Sequence, residues 1–413
     1  MATTGHKVLV AMSGGVDSSV AAAMLVRAGH EVIGCFMRLG SPDEVEGMVR
    51  ADDCAVPAGG DAKRAGHKGC CSVGDAADAR AVAAELGVPL YVCNFRRDFG
   101  RVIDYFVEEY AAGRTPNPCI RCNDWLKFGK LHEYARQLGC GFVASGHYAR
   151  IGAEETERPA AAGELRDGEA KSGARLLRAV DHAKDQSYVL FGVPRAQLGS
   201  MMLPIGEFHK PRVREMAERF GLPVFNKPDS QEICFVPDDD YAGLVERRRP
   251  DLVSSGGGRV LDPEGREVGR HDGHHRFTIG QRRGVGLALG YPVYVVDKDP
   301  ATNTVTVGPR ERLDARGCVA RDANWLTEAG LAGTGEWTRV FAKHRSNSPA
   351  VAAEARVLGE VGASSKGAAG ACAGFEVRFD TPQFAVAPGQ AVVLYDAEEP
   401  DVVLGGGWIS AAT

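Results

Sequence analysis

Short apolar runs punctuate the first half of the chain, with alanine-rich stretches between them. Lys7 to Met12 is such a run, and its lack of polar alternation reads as a strand buried on both faces. Ser19 to Ala28 follows as a helix, rich in alanine and ended by Gly29. The same alternation continues with a strand at Glu31 to Met37 and a helix at Asp75 to Leu86, ended by Gly87. A strand at Leu90 to Cys93, a helix at Phe99 to Ala112 and a strand at Phe142 to Ser145 complete it. Strand and helix in turn predict an α/β domain on a parallel sheet. After about Arg248 the helical period fades. Short strands replace it at Val293 to Val296, Thr304 to Val307, Phe375 to Phe379 and Ala391 to Tyr395, with Trp408 and Ile409 following the run Gly405 to Gly407. Turn-rich strands of this kind predict a small barrel or sandwich. Pro42 to Gly69, Glu154 to Gly173 and Gly362 to Gly374 are aperiodic and rich in small residues; they read as loops, the first two as mobile insertions.

At 413 residues the chain is too long for one core of ordinary size, so two or three domains are expected. No apolar run is long enough to span a bilayer. Met1 to Lys7 leads at once into the first strand and leaves no room for a signal peptide, so a cytoplasmic location is expected. The eleven cysteines are odd in number, and Cys35 and Cys93 lie within apolar strands, which fits reduced thiols better than a disulfide framework. Net charge is −5, so any contact with nucleic acid must rely on local patches. Arg247 to Arg249 and Arg282–Arg283 are such clusters, though runs of charge are usually solvated faces and neither is assigned to a site.

The segment Ser13 to Ser19 (Ser-Gly-Gly-Val-Asp-Ser-Ser) lies between the first strand and the first helix. Gly14 and Gly15 allow a tight turn that brings backbone N–H groups to a phosphate. The hydroxyls of Ser13, Ser18 and Ser19 and the positive end of the helix dipole favour the same ligand. Asp17 is out of place against a bare phosphate, but it suits a Mg²⁺ ion that bridges phosphates. The kinase-type pattern GxxxxGK[ST] is missing. The motif resembles the pyrophosphate loop of the N-type ATP pyrophosphatases, which cleave ATP to AMP and pyrophosphate while adenylating a substrate oxygen.

Five further segments narrow the resemblance. They are Thr115 to Asn123 (Thr-Pro-Asn-Pro-Cys-Ile-Arg-Cys-Asn), Ser145 to Tyr148, Lys184 to Ser187, Asp229 to Phe235 (Asp-Ser-Gln-Glu-Ile-Cys-Phe) and Thr278 to Gly284. Together they resemble the tRNA-specific 2-thiouridylases, nearly end to end apart from the aperiodic stretches. The resemblance implies an enzyme with tRNA as substrate, specifically the wobble uridine of the anticodon. Exchanging oxygen for sulfur needs a leaving group, a sulfur carrier and a second thiol to free the sulfur. ATP supplies the first by adenylating the uridine O2. By resemblance, Cys234 carries a persulfide loaded by a sulfur-donor protein (a cysteine desulfurase or relay), and Cys122 is the nucleophile. The disulfide left between them is reset by a reductant. Cys122 is placed where a helix is expected to begin, which would lower its thiol pKa.

The family's ATP contacts map to Ala11, Met12, Ser13, Gly14, Gly15, Val16, Asp17, Ser18, Met37 and Gly146. Met37 ends the second strand, where the base of a nucleotide lies in a doubly wound sheet. At Gly146 a side chain would block the ribose. Asn117, Pro118 and Cys119 are expected to line the pocket for a uridine flipped out of its stack. His147, Lys184, Asp185, Gln186, Arg345, Ser346 and Gln390 match tRNA contacts.

Cys119 departs from the family, where aspartate is common. It makes a Cys-x-x-Cys pair with Cys122. One alternative is therefore a four-iron four-sulfur (4Fe-4S) iron–sulfur cluster on Cys119, Cys122 and Cys234. Another is zinc with Cys70 and Cys71 added. A metal-free persulfide enzyme is preferred because it needs only two thiols. Cys35, Cys93, Cys140, Cys318 and Cys372 read as structural thiols. The expected division is a catalytic α/β domain at 1–236, a linker domain at 237–296 and an RNA-holding β-barrel at 297–413. The rival readings are another pyrophosphate-loop ligase or tRNA thiolase, and a non-catalytic RNA-binding protein.

Overall fold

The computed structural model describes residues 5–413 except 41–72, 154–172, 230–232, 237–239, 255–256, 329, 332–334 and 360–373. The expected loops at 42–69 and 154–172, most of 362–374, and Cys70, Cys71 and Cys372 lie outside the described residues.

The first unit is a parallel five-stranded sheet in the order β3-β2-β1-β4-β7. Its strands are β1 (Lys7–Ala11), β2 (Glu31–Arg38), β3 (Leu90–Asn94), β4 (Phe142–Ala144) and β7 (Met201–Met202). A two-stranded ribbon, β5 (Ala149–Ala153) with β6 (Ala174–Arg178), precedes β7. Val8, Leu9 and Val10 of β1 are all within 1% of complete burial, as their unbroken apolar run requires of a central strand. Helices α1 (Val16–Arg27), α2 (Val73–Glu85) and α3 (Arg96–Ala111) fill the crossovers.

Helix α1 starts three residues earlier than its alanine-rich stretch predicts. Ser18 and Ser19 lie in its first turn, where both hydroxyls donate back to the Gly15 carbonyl at 3.2 and 2.7 Å. Next, α4 comprises an opening turn Pro118–Arg121, a π-helical stretch Cys122–Lys130 and an α-helical end Leu131–Gln137. Helix α5 (Lys210–Arg219) packs along α1.

The second unit is a four-stranded sheet in the order β10-β11-β8-β9. It uses β8 (Gly258–Leu261), β9 (Glu267–His271), β10 (Tyr294–Asp299) and β11 (Thr304–Gly308). The expected break at 296/297 therefore falls inside β10.

The third unit is a closed six-stranded barrel in the order β12-β15-β14-β13-β16-β17. Its strands are β12 (Asp314–Trp325), β13 (Thr338–Lys343), β14 (Val351–Val357), β15 (Phe375–Phe384), β16 (Ala391–Asp396) and β17 (Val403–Ala412). Gly405 to Gly407 lie within β17 rather than before it. A Cβ at Gly406 would meet Val392 O at 2.7 Å and the Phe191 ring at 2.9 Å, so the barrel wall is dimpled there to receive the catalytic domain. The two units share one core, in which Val393, Tyr395 and Trp408 of the barrel join Leu9, Ile120 and Phe191.

The basic run at 247–249 serves a different contact, between the segment that follows the catalytic domain and α3. Arg248 pairs with Asp104 at 3.0 Å, while Arg249 reaches Glu108 at 3.0 Å and Asp251 at 2.8 Å.

Candidate active site

The β1–α1 turn holds its shape through Gly14 and Gly146. Gly14 has φ +73°, and a Cβ on it would lie 2.2 Å from Asp75 O. A Cβ on Gly146 would lie 2.4 Å from Ser18 N and 2.6 Å from the Asp17 carbonyl carbon. Gly146 thus makes room for the backbone of α1. Gly146→Ala should cost about 1–3 kcal/mol in urea unfolding by pushing the loop away, and an unchanged midpoint would show that the strand end yields freely.

Beside this turn opens a cavity of about 440 Å³. It is lined by Ala11, Met12, Ser13, Gly15, Val16, Asp17 and Ser18, with Met37 and Gly146. The same cavity takes in Pro118, Cys119, Cys122, His147, Lys184, Gln186 and Cys234. Residues from widely separated segments therefore converge as the motifs predict. Cys119 is exposed, and Cys122 and Cys234 are half-buried. Gly14 and Asn117 do not line the cavity.

Cys122 does not stand at a helix start. Asn117 caps α4, Pro118 opens it, and the Cys122 N–H donates to Pro118 O. The first turn belongs to Cys119, one residue past the proline. This part of α4 is clamped from the barrel side. The Arg121 guanidinium sits 4.2 Å from the Trp408 ring centre, 5.2 Å from that of Trp125 and 5.3 Å from that of Tyr105. Asp124 lies 3.5 Å from Arg121, yet burial pushes its carboxyl up to about 6.

Gln390 is part of the same clamp. Its amide donates to Thr115 O at 2.9 Å and Pro116 O at 3.2 Å, and Thr115 N donates to Pro388 O at 2.8 Å. Its side-chain NH₂ thus holds the loop ahead of Pro118. Asp185 is likewise turned inward. It is 8% exposed and accepts from Ala179 N, Ser187 N and Ser187 Oγ at 2.9–3.1 Å. Arg345 donates to Ala385 O at 2.6 Å and is half-buried beside Phe384, whereas Ser346 is exposed. Neither lines the cavity. His147 is buried with Nδ1 2.7 Å from Ser145 Oγ, and desolvation holds its pKa well below the usual imidazole value, so it is neutral.

The polar groups that sequence reasoning assigned to no site are Lys210, Lys227, Asp229 and Tyr148. Lys210 Nζ lies 2.8 Å from both carboxylate oxygens of Asp17 and 2.8 Å from Asp229 Oδ1. The Tyr148 hydroxyl donates to Asp17 Oδ1 at 2.9 Å. Lys227 Nζ donates to Gly14 O at 3.0 Å and to Asp75 and Asp78 at 2.6 Å. Asp229 opens the Cys234 motif and Lys227 lies two residues before it, a position that was available as a signal; nothing in the sequence marks Lys210.

The carboxylate of Asp17, a hard oxygen donor beside two serine hydroxyls, suits Mg²⁺. Cys119, Cys122 and Cys234 share the cavity, but among the described residues no group of three or more His, Cys, Asp or Glu is arranged to hold a metal ion, and Cys70 and Cys71 of the zinc alternative lie outside those residues. Among those residues, no helix is long and apolar enough to cross a membrane.

Three family models match the chain in succession: the tRNA methyl transferase HUP domain over residues 6–238, the tRNA methyl transferase PRC-barrel domain over 251–309 and the aminomethyltransferase beta-barrel domain over 315–409. The tRNA-specific 2-thiouridylase MnmA of Rhodopirellula baltica is 43% identical, covering 98% of this chain and 96% of that protein. The protein of the same name from Roseiflexus sp. is 45% identical over 98% of this chain and 99% of its own length. That of Solibacter usitatus is 43% identical over 97% and 98%. On this near-complete match in sequence and domain order, the chain belongs to the tRNA-specific 2-thiouridylase family.

Proposed function

We propose that the protein converts a uridine of tRNA, the wobble uridine of the anticodon, to 2-thiouridine by adenylation followed by persulfide sulfur transfer. The observation that carries this reading is the single cavity shared by the pyrophosphate loop and the thiols of Cys122 and Cys234. Methyl transfer, named in the description of two of the family models, requires neither. ATP lies with its phosphates on Ser13 to Ser18 and its base toward Met37. Mg²⁺ held by Asp17 would neutralise phosphate charge as pyrophosphate departs.

The uridine is flipped toward Pro118 and Cys119, with Asn117 shaping that turn from the helix cap. Its O2 attacks the α-phosphorus, so an O–P bond forms and pyrophosphate leaves. The terminal sulfur of a Cys234 persulfide then attacks C2 and expels AMP. Finally, the Cys122 thiolate attacks Cys234 Sγ. The electron pair of the broken S–S bond stays on the base sulfur, and a Cys122–Cys234 disulfide remains for an external thiol to reduce. A sulfur-donor protein, a desulfurase or relay, reloads Cys234. No step needs a metal on the three thiols, and Cys119 lines the uridine pocket.

The direct test supplies ATP, Mg²⁺, an unmodified tRNA transcript and a persulfide donor, then measures AMP, pyrophosphate and digested nucleosides. AMP equal to the 2-thiouridine formed is expected. A methylated nucleoside, or thiolation without AMP, would overturn the reading.

Of the expected tRNA-contacting cations, Lys184 stands at the cavity with a 45% exposed side chain. Lys184→Ala should reduce the slope of log affinity for tRNA against log salt by roughly one unit, with little change in ATP affinity. A slope equal to wild type would place this lysine away from phosphate.

A further inference from the structure

We infer that Lys210 is a phosphate-binding residue of the nucleotide site, paired here with Asp17 and Asp229 and able to exchange these carboxylates for the triphosphate. This deepens, and rests on, the reading of the cavity as an ATP site. Lys210 opens α5 and is 7% exposed, yet its ammonium group reaches the cavity wall. A buried ammonium must have anionic partners, and a lysine is a common point-charge ligand for phosphate. The partners it has are unusual in one respect. Asp17 belongs to the first turn of α1, where the backbone N–H groups and the helix dipole favour anions. The lysine and the turn thus converge on one place.

Of the four cavity lysines (Lys127, Lys184, Lys210 and Lys227), Lys227 is matched by Asp75 and Asp78 at 2.6 Å, whereas Lys210 meets Asp17 of the nucleotide turn.

The exchange of partners leaves no carboxylate bare. Asp229 Oδ1 also accepts from Arg214 at 2.7 Å, and Oδ2 from Lys184 at 3.2 Å. Asp17 keeps the Tyr148 hydroxyl at 2.9 Å and becomes available to Mg²⁺. Lys210 can therefore turn to phosphate without stranding either former partner. Asp229 is five residues before Cys234, so the same lysine ties the nucleotide turn to the segment that carries sulfur.

The test measures binding of inorganic pyrophosphate and of adenosine, each with Mg²⁺, to the full chain by calorimetry. Lys210→Met should weaken pyrophosphate binding roughly 10- to 100-fold, the range expected for one charge-assisted contact, and leave adenosine binding unchanged. Lys210→Arg should recover part of the loss. If Lys210→Met does not fold, Asp17→Asn/Lys210→Met, which leaves neither buried charge alone, is compared with Asp17→Asn; the double variant should bind pyrophosphate more weakly. Equal pyrophosphate affinity in that comparison, or equal loss of pyrophosphate and adenosine binding in Lys210→Met, would overturn the proposal. A wild-type protein that binds neither ligand would instead overturn the nucleotide-site reading on which it rests.

Discussion

Cys234→Ser is expected to stop 2-thiouridine formation while tRNA-dependent release of pyrophosphate from ATP continues. Serine keeps the size and the polar edge of the side chain but cannot hold a transferable sulfur atom. The loss should be on the order of a thousandfold or more, as for removal of a covalent nucleophile. Adenylation needs only the pyrophosphate turn, the metal and the flipped base, and Cys234 contributes to none of these. Cys122→Ser should reach the same end differently, because sulfur can load onto Cys234 but is not released from it. Mass spectrometry of the denatured variant should then find sulfur retained on the protein. Pyrophosphate release and nucleoside analysis, run on the same reaction, separate the two half-reactions. If pyrophosphate release fell with thiolation in both variants, the thiols would be shaping the uridine pocket rather than delivering sulfur.

Asp17→Ala should abolish adenylation and also weaken the fold. Asp17 accepts both short contacts from Lys210, whose side chain is only 9% exposed. Removing the carboxylate leaves that ammonium dependent on Asp229 alone. Breaking a buried pair costs roughly 3–5 kcal/mol, and the surviving partner brings the expectation here to about 2–4 kcal/mol. Asp17→Asn, which keeps the acceptor oxygen, should lose less stability but just as much pyrophosphate release, since an amide is a poor ligand for Mg²⁺. Urea unfolding of both variants alongside ATP turnover makes the comparison. Near-normal turnover in Asp17→Ala would remove Asp17 from the mechanism.

The α/β half was legible because its signals are local. Apolar runs such as Val8 to Val10 mark central strands, and glycines at 29 and 87 stop the helices after them. The barrel was only half legible. Strand β12 was missed because irregular pairing between Val319 and Ala320, and again between Arg321 and Asn324, breaks the two-residue period. Gly405 to Gly407 looked like a turn because small residues needed for close packing and small residues needed for bending are the same in sequence. The π-helical stretch after Arg121 left no mark on periodicity, so the helix start was placed at Cys122 instead of Pro118. Lys210 was out of reach for another reason. It meets Asp17 across 193 residues of chain, and a lysine at the start of an exposed-looking helix has no signature of burial. The motifs brought many of their residues to one cavity, while Asp185 and Gln390 lie outside it and hydrogen-bond to backbone.

The clamp on α4 bears on how far this architecture is modular. Arg121 is caged by rings from both the catalytic domain and the barrel, Gln390 grips the loop ahead of Pro118, and Phe191 fills the dimple at Gly406. The seat of the thiol-bearing helix is therefore made of residues encoded more than 250 positions downstream of it. A graft of the first domain onto a different RNA-binding module would carry the nucleotide turn intact but strip α4, and Cys119 and Cys122 with it, of its outer support. Among the described residues the barrel lines no part of the cavity, yet it works as the buttress of the wall that holds the thiols.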